Sequence, residues 1–70
     1  MIDVRSVRQE RGMTQKAFAD TFGFTVAAVR DWEQGRRQPD RAAKILLAVI
    51  KSSPRVAADA AAFIRGAGEL

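Results

Sequence analysis

The stretch from residue 13 to residue 37, MTQKAFADTFGFTVAAVRDWEQGRR, admits few folds. Thr14 stands where a side chain can cap a helix opened by Gln15, Lys16 and Ala17. Phe18, Ala19 and Phe22 recur at i, i+1 and i+4 and give that helix one apolar face. Gly23 follows at once, where a chain leaving a helix through the left-handed region needs a residue without Cβ. Thr25 is placed to cap a second helix, which carries Val29 and Trp32 inward and ends at Gly35. Two short helices joined by so few residues, with a glycine in the turn, form a helix-turn-helix.

The rest of the chain supplies helices to pack on this unit. No segment alternates as a strand does, and thirteen alanines favour helix. A first helix is expected over Val4–Arg11, stopping at Gly12, with the next two over 15–22 and 26–34. Gly35 to Pro39 reads as a loop, and Asp40 as the N-cap of a fourth helix. Its apolar stripe is expected at Ala42, Ile45, Leu46, Val49 and Ile50. Ser53 and Pro54 start a fifth helix, with Val56, Ala57, Ala60, Phe63 and Ile64 apolar and Gly66 and Gly68 fraying its end. The expected architecture is all-α: a compact five-helix bundle in one domain, 1–70, with the helix-turn-helix core at about 14–35.

Gln15, Ala19, Gly23, Val29 and Trp32 are spaced as in phage-repressor and Cro-like (Xre-type) domains, which this chain resembles from about residue 3 to residue 54. WEQGRRQP at 32–39 is similar to the segment that closes the recognition helix in that family. The resemblance implies a lambda-repressor-like fold. Within the family, FGFTVAAVRDWEQGRRQP followed by an apolar helix and a Pro-started one looks most like HigA-type antitoxins. That narrower likeness implies an antitoxin that represses its own operon and inhibits a toxin through segments outside this chain. Helix 1 begins almost at Met1 and the chain ends soon after helix 5, so either a truncated antitoxin domain or a stand-alone regulator is expected.

Charge agrees with a polyanionic partner. Twelve Lys and Arg stand against eight Asp and Glu, for a net +4, and the pI is near 10.7. Nine of the twelve cations are Arg, whose fork matches phosphate and guanine. With no His and no Cys there is no imidazole base, thiol nucleophile or zinc set, and no carboxylate pair is spaced for acid–base work. An enzyme is not expected, nor is a cofactor or metal. No apolar run approaches the ~20 residues of a membrane span. A cytoplasmic, nucleoid-associated protein is expected, with no membrane partner.

A recognition helix offers its outer face to base edges. A helical wheel turns Val26, Ala27, Arg30, Asp31 and Gln34 outward. Val26 and Ala27 suit a thymine methyl, and Arg30 the O6 and N7 of guanine. Asp31 either accepts from a cytosine amine or, the favoured role, holds Arg30 in place. The family resemblance assigns Gln15 to the DNA backbone, at a helix N-terminus that itself attracts phosphate. Thr14 and Thr25 are caps whose hydroxyls can also meet phosphate. Lys16, Gln34, Arg36, Arg37 and Arg41 flank the groove face as backbone contacts, Lys16 being equally a plain solvated charge. Arg8 shares the inward face of helix 1 with Val4 and Val7, so it needs a partner, and Glu33 is the natural one for a structural ion pair.

Phe24 either plugs the gap between helices 2 and 3 or stays exposed for a partner. Trp32 reads as core or half-core rather than as a stacking platform, since single-strand binders interleave several aromatics with basic residues. Helix 5, about 54–65, offers more apolar surface than the monomer needs. A homodimer is expected with Val56, Ala60, Phe63 and Ile64 at or near its interface, on double-stranded DNA with an inverted-repeat operator. The competing class is a protein-interaction module that has lost DNA binding.

Overall fold

A computed structural model describes residues 2–68, with side chains as far as residue 66. Five α-helices follow one another: α1 Val4–Glu10, α2 Gln15–Phe22, α3 Val26–Gln34, α4 Arg41–Ser52 and α5 Pro54–Gly68. No strand occurs among the described residues.

Local chemistry sets most of the boundaries. The side chains of Asp3, Thr14, Thr25 and Asp40 each accept from the backbone N–H three residues on, satisfying a donor that the first helical turn leaves free. Gly23 and Gly35 end α2 and α3 at φ +82° and +75°, a region closed to most residues with a Cβ. Past Gly23, the Phe24 N–H reaches back to the Ala19 carbonyl at 2.9 Å. That bond strands the carbonyl of Asp20, and Arg65 of α5 donates to it at 2.5 Å.

Val4, Val7, Phe18, Ala19, Phe22, Val29, Leu47, Ile50 and Ala57 form the core. Phe18 sits fully buried at its centre, 5.0 Å from the Phe22 ring and 6.0 Å from that of Phe24. Phe24 meets Trp32 edge-on at 5.0 Å, so it fills the gap between α2 and α3. Each large side chain buried here stabilises by roughly 1.5–3 kcal/mol.

Three expectations about helix bounds and faces are corrected. Helix α1 ends at Glu10, with Arg11 as its C-cap, one residue early. In α4 the inward residues are Ala43, Leu46, Leu47, Val49 and Ile50, so Leu46, Val49 and Ile50 lie as expected, while Ala42 and Ile45 are exposed. Leu47, absent from the expected stripe, is one of the largest fully buried side chains. In α5 it is Ala57, Ala58 and Ala61 that face the molecule, and the helix runs on through Gly66. Small alanines let α5 lie close against α2 and α4: a Cβ added at Gly23 would stand 4.0 Å from that of Ala61.

Candidate nucleic-acid interface

Glu33 leaves α3 toward α1, and its side chain has no exposed surface. Arg8 meets it with a forked contact, Nε donating to Oε2 at 2.6 Å and Nη2 to Oε1 at 2.8 Å. Arg5 Nε adds a bond to Oε1 at 3.3 Å, and the Gln15 amide another at 3.2 Å. Arg8 Nη1 donates to the Met13 carbonyl at 3.0 Å. One carboxylate therefore ties α1, α2 and α3 together. Forked guanidinium–carboxylate contacts combine strength with fixed direction, so they set the angle of α3. The bonds from Arg8, then Gln15 and Arg5, hold the Glu33 carboxyl below the usual glutamate range, against the opposing effect of burial. The same bond raises Arg8.

Arg5 joins the pair of Arg8 and Glu33 that the sequence leads one to expect. Its position three residues before Arg8, on one edge of α1, was the available signal. Gln15 was assigned to DNA alone, yet its amide nitrogen already serves Glu33. The second N–H of that amide and the backbone N–H groups of Gln15 and Lys16, which have no preceding helical turn to bond, are left to donate.

The side of α3 turned away from the core is open. Ala27, Arg30 and Gln34 are exposed along it, and among the described residues no carboxylate pairs with Arg30. Val26 is half-buried and packs against the core, so only part of it faces outward. Asp31 does not hold Arg30. Its carboxylate faces Arg36 at 4.0 Å and Arg37 at 3.9 Å, because the chain reverses at Gly35 and brings that loop back along α3. Arg41 is exposed where α4 begins. On α2, Lys16 bonds Asp20 at 2.7 Å, one turn on, with both side chains well exposed. Thr14 and Thr25 use their hydroxyl oxygens as caps, which leaves each hydroxyl proton free to donate.

Arg30, Gln34, Arg36 and Arg37 thus stand on one helix edge and the loop that continues it, with α2 opening nearby. The arrangement offers forked donors and a slender helix, the combination that reads a major groove. No group of His, Cys, Asp and Glu among the described residues is placed to hold a metal ion. Val56, Phe63 and Ile64 lie on the exposed side of α5, at 62%, 71% and 63% exposure, and Ala60 is exposed beside them.

No described helix is long and apolar enough to cross a membrane. No curated protein and no solved structure gave a match to the chain. A family model described as helix-turn-helix matches residues 4–54, most of its length, and covers the whole of α1 to α4. That family consists of DNA-binding regulatory domains, not of enzymes. With its five helices and the α2–turn–α3 unit, the chain belongs to the Xre/Cro-type helix-turn-helix family and has an all-α, lambda-repressor-like DNA-binding fold.

Proposed function

We propose that the domain acts as a homodimeric transcriptional repressor on an inverted-repeat operator in double-stranded DNA. The open edge of α3 carries this reading: Arg30 is exposed and without a carboxylate partner among the described residues, on a helix that Glu33 locks against α1 and α2. Arg30 pairs with O6 and N7 of one guanine, and Ala27 with the free part of Val26 covers a thymine methyl. Thr14, Gln15, Lys16 and Thr25 meet phosphates from one side, Gln34, Arg36, Arg37 and Arg41 from the other.

The exposed surface of Val56, Ala60, Phe63 and Ile64 supports a second copy as partner. Beside it runs a groove of about 420 Å³ lined by Phe22, Leu46, Ala57, Ala60 and Ile64. A two-fold dimer through this face sets two recognition helices against half-sites about 34 Å apart. The likeness of the α3 segment to HigA-type antitoxins supports a finer role: an antitoxin that autoregulates its operon and meets its toxin through segments outside this chain.

Mobility shift on DNA from upstream of its own gene, with sedimentation at micromolar concentration, tests the proposal. The expected result is a dimer in free solution that retards that duplex in preference to a scrambled one. A chain that stays monomeric on DNA would overturn the dimer, and equal retardation of both duplexes would overturn specific repression. For the antitoxin role, co-expression of the whole gene, with whatever segments it encodes outside this chain, should relieve growth arrest by the neighbouring gene's product. No relief removes that role alone.

A further inference from the structure

We infer that Asp31 is a specificity-determining positioning residue, which holds Arg36 and Arg37 as one template and withholds them from DNA where they do not meet phosphate. The inference rests on the repressor reading above and deepens it.

The template is built by backbone and side chain together. Gly35 at φ +75° turns the chain back on itself, its N–H donating to the Trp32 carbonyl at 3.3 Å. The Arg36 N–H then donates to the Asp31 carbonyl at 2.9 Å, which closes the end of α3. Residues 36 and 37 are thereby returned to the side chain of Asp31. Oδ1 lies 4.0 Å from Arg36 Nη1, and Oδ2 lies 3.9 Å from Arg37 Nε. Each carboxylate oxygen serves a different guanidinium. Asp31 is only 31% exposed, whereas Arg36 and Arg37 are 68% and 57% exposed, so the acid lies beneath and the forks lie outside.

That layering has an electrostatic consequence. Each guanidinium has five N–H donors and keeps several free while it faces Asp31. Where Arg30 docks on its base pair, α3 is held in one register, and both forks can bridge the carboxylate and a phosphate. On unrelated DNA no register is imposed. A phosphate approaching this end of α3 then competes with Asp31 for the same two cations and is repelled by its charge. Asp31 therefore lowers affinity for random DNA more than affinity for the operator. Exposed pairs at this separation are individually weak, so the effect is a matter of several-fold, not of orders of magnitude.

The test compares the wild type with Asp31→Asn on two duplexes over a range of salt: one enriched by the wild type from a random-sequence pool, and a scrambled duplex of equal length. Asp31→Asn should bind the scrambled duplex about three- to tenfold more tightly, the combined strength of two exposed pairs. Its salt slope on that duplex should steepen by about one unit as a released Arg takes up phosphate. Affinity for the enriched duplex should change less, so the ratio falls. Asp31→Glu, which keeps the charge, should stay near wild type on scrambled DNA. In an Arg36→Ala, Arg37→Ala background the steepened slope should vanish and the gain in affinity from Asp31→Asn should shrink to what direct repulsion of phosphate leaves. Unchanged affinity for scrambled DNA, or an equal change on both duplexes, would overturn the inference. So would a loss confined to duplexes altered at one C·G pair, which would make Asp31 a base reader. If the wild type enriches no duplex at all, the repressor reading fails instead, and the two failures are thereby told apart.

Discussion

Glu33 has no exposed side-chain surface and accepts four hydrogen bonds from donors on two other helices, whereas Phe63 on α5 leaves 71% of its area in solvent. The contrast runs against the usual sorting of charge outward and apolar groups inward. A buried carboxylate is tolerable when it is paired and its oxygens are fully engaged, and what it then contributes is direction. Here it fixes α3 against α1 and α2. Val56, Phe63 and Ile64 of α5 do the reverse: they add little to the monomer and leave a surface for something else. One side of the molecule is committed to holding a helix in place, and the other is uncommitted.

Removing Glu33 should break the first half of that comparison with the largest effect. Glu33→Ala leaves Arg8, only 15% exposed, without its partner, and breaking a buried pair costs about 3–5 kcal/mol. Urea or thermal unfolding measures this, and a loss below about 0.5 kcal/mol would mean that the cluster does not hold the fold. Acid probes the same group. Its folded-state pKa is depressed, so the folded protein binds fewer protons than the unfolded chain. The stability it contributes is complete above about pH 4.3, the ordinary glutamate value. It is lost as pH falls below that value and through the depressed folded-state pKa. Asp3, lowered by its bonds to the backbone N–H and hydroxyl of Ser6, adds in the same sense. The difference between wild type and Glu33→Gln isolates the share of Glu33, and parallel pH profiles for the two would deny it one.

Caps and glycine stops were legible in the sequence because their chemistry is local. Thr14, Thr25 and Asp40 each need only the N–H three residues on, and Gly23 and Gly35 need only the absence of a Cβ. The phase of α4 was legible only in part: Leu46, Val49 and Ile50 turn inward as expected, but Ile45 does not. In the run ILLAVI every residue is apolar, so several stripes fit equally well. Packing against α5 then chose Leu47 over Ile45. Asp31 was misassigned for a related reason. A helical wheel shows only neighbours on the same helix, and the cations that face Asp31 arrive from a loop that folds back.

The next largest effect lies on the open edge of α3. Arg30→Ala should cost about 1–3 kcal/mol on the operator and relax preference at one base pair, with little loss on random DNA. Arg36→Ala or Arg37→Ala should flatten the salt slope on the operator by about one unit each without relaxing preference at any base pair, and should cost less on random DNA, where Asp31 holds both cations back. Binding isotherms on both duplexes at several salt concentrations separate the two patterns. A uniform loss from Arg30→Ala would make that residue a phosphate contact.

Arg65 is where the two contrasted regions touch. It reaches from α5 to the Asp20 carbonyl that the turn after α2 leaves without a helical donor. A cation at a helix C-terminus also meets the favourable end of the dipole. Arg65→Ala should therefore destabilise by about 0.5–1.5 kcal/mol, the net contribution of one such hydrogen bond. Chemical denaturation reads this directly. No change would mean that α5 is held by Ala57 and Ala61 alone.

The smallest expected effect on the monomer comes from Phe63, and it sharpens the comparison most. At 71% exposure its ring adds little to the core, so Phe63→Asp should alter the stability of the isolated chain by no more than about 0.5 kcal/mol. If the face of Val56, Ala60, Phe63 and Ile64 binds a second copy, however, the wild type gains stability with concentration, because dimerisation draws the folded state onward by mass action. The two proteins should then unfold together in dilute solution and diverge as concentration rises, with only the wild-type Tm climbing. Melting curves over a hundredfold range of concentration make the measurement. Parallel behaviour throughout would leave Phe63 outside any self-association, and a large loss already present at high dilution would show that it supports the monomer instead.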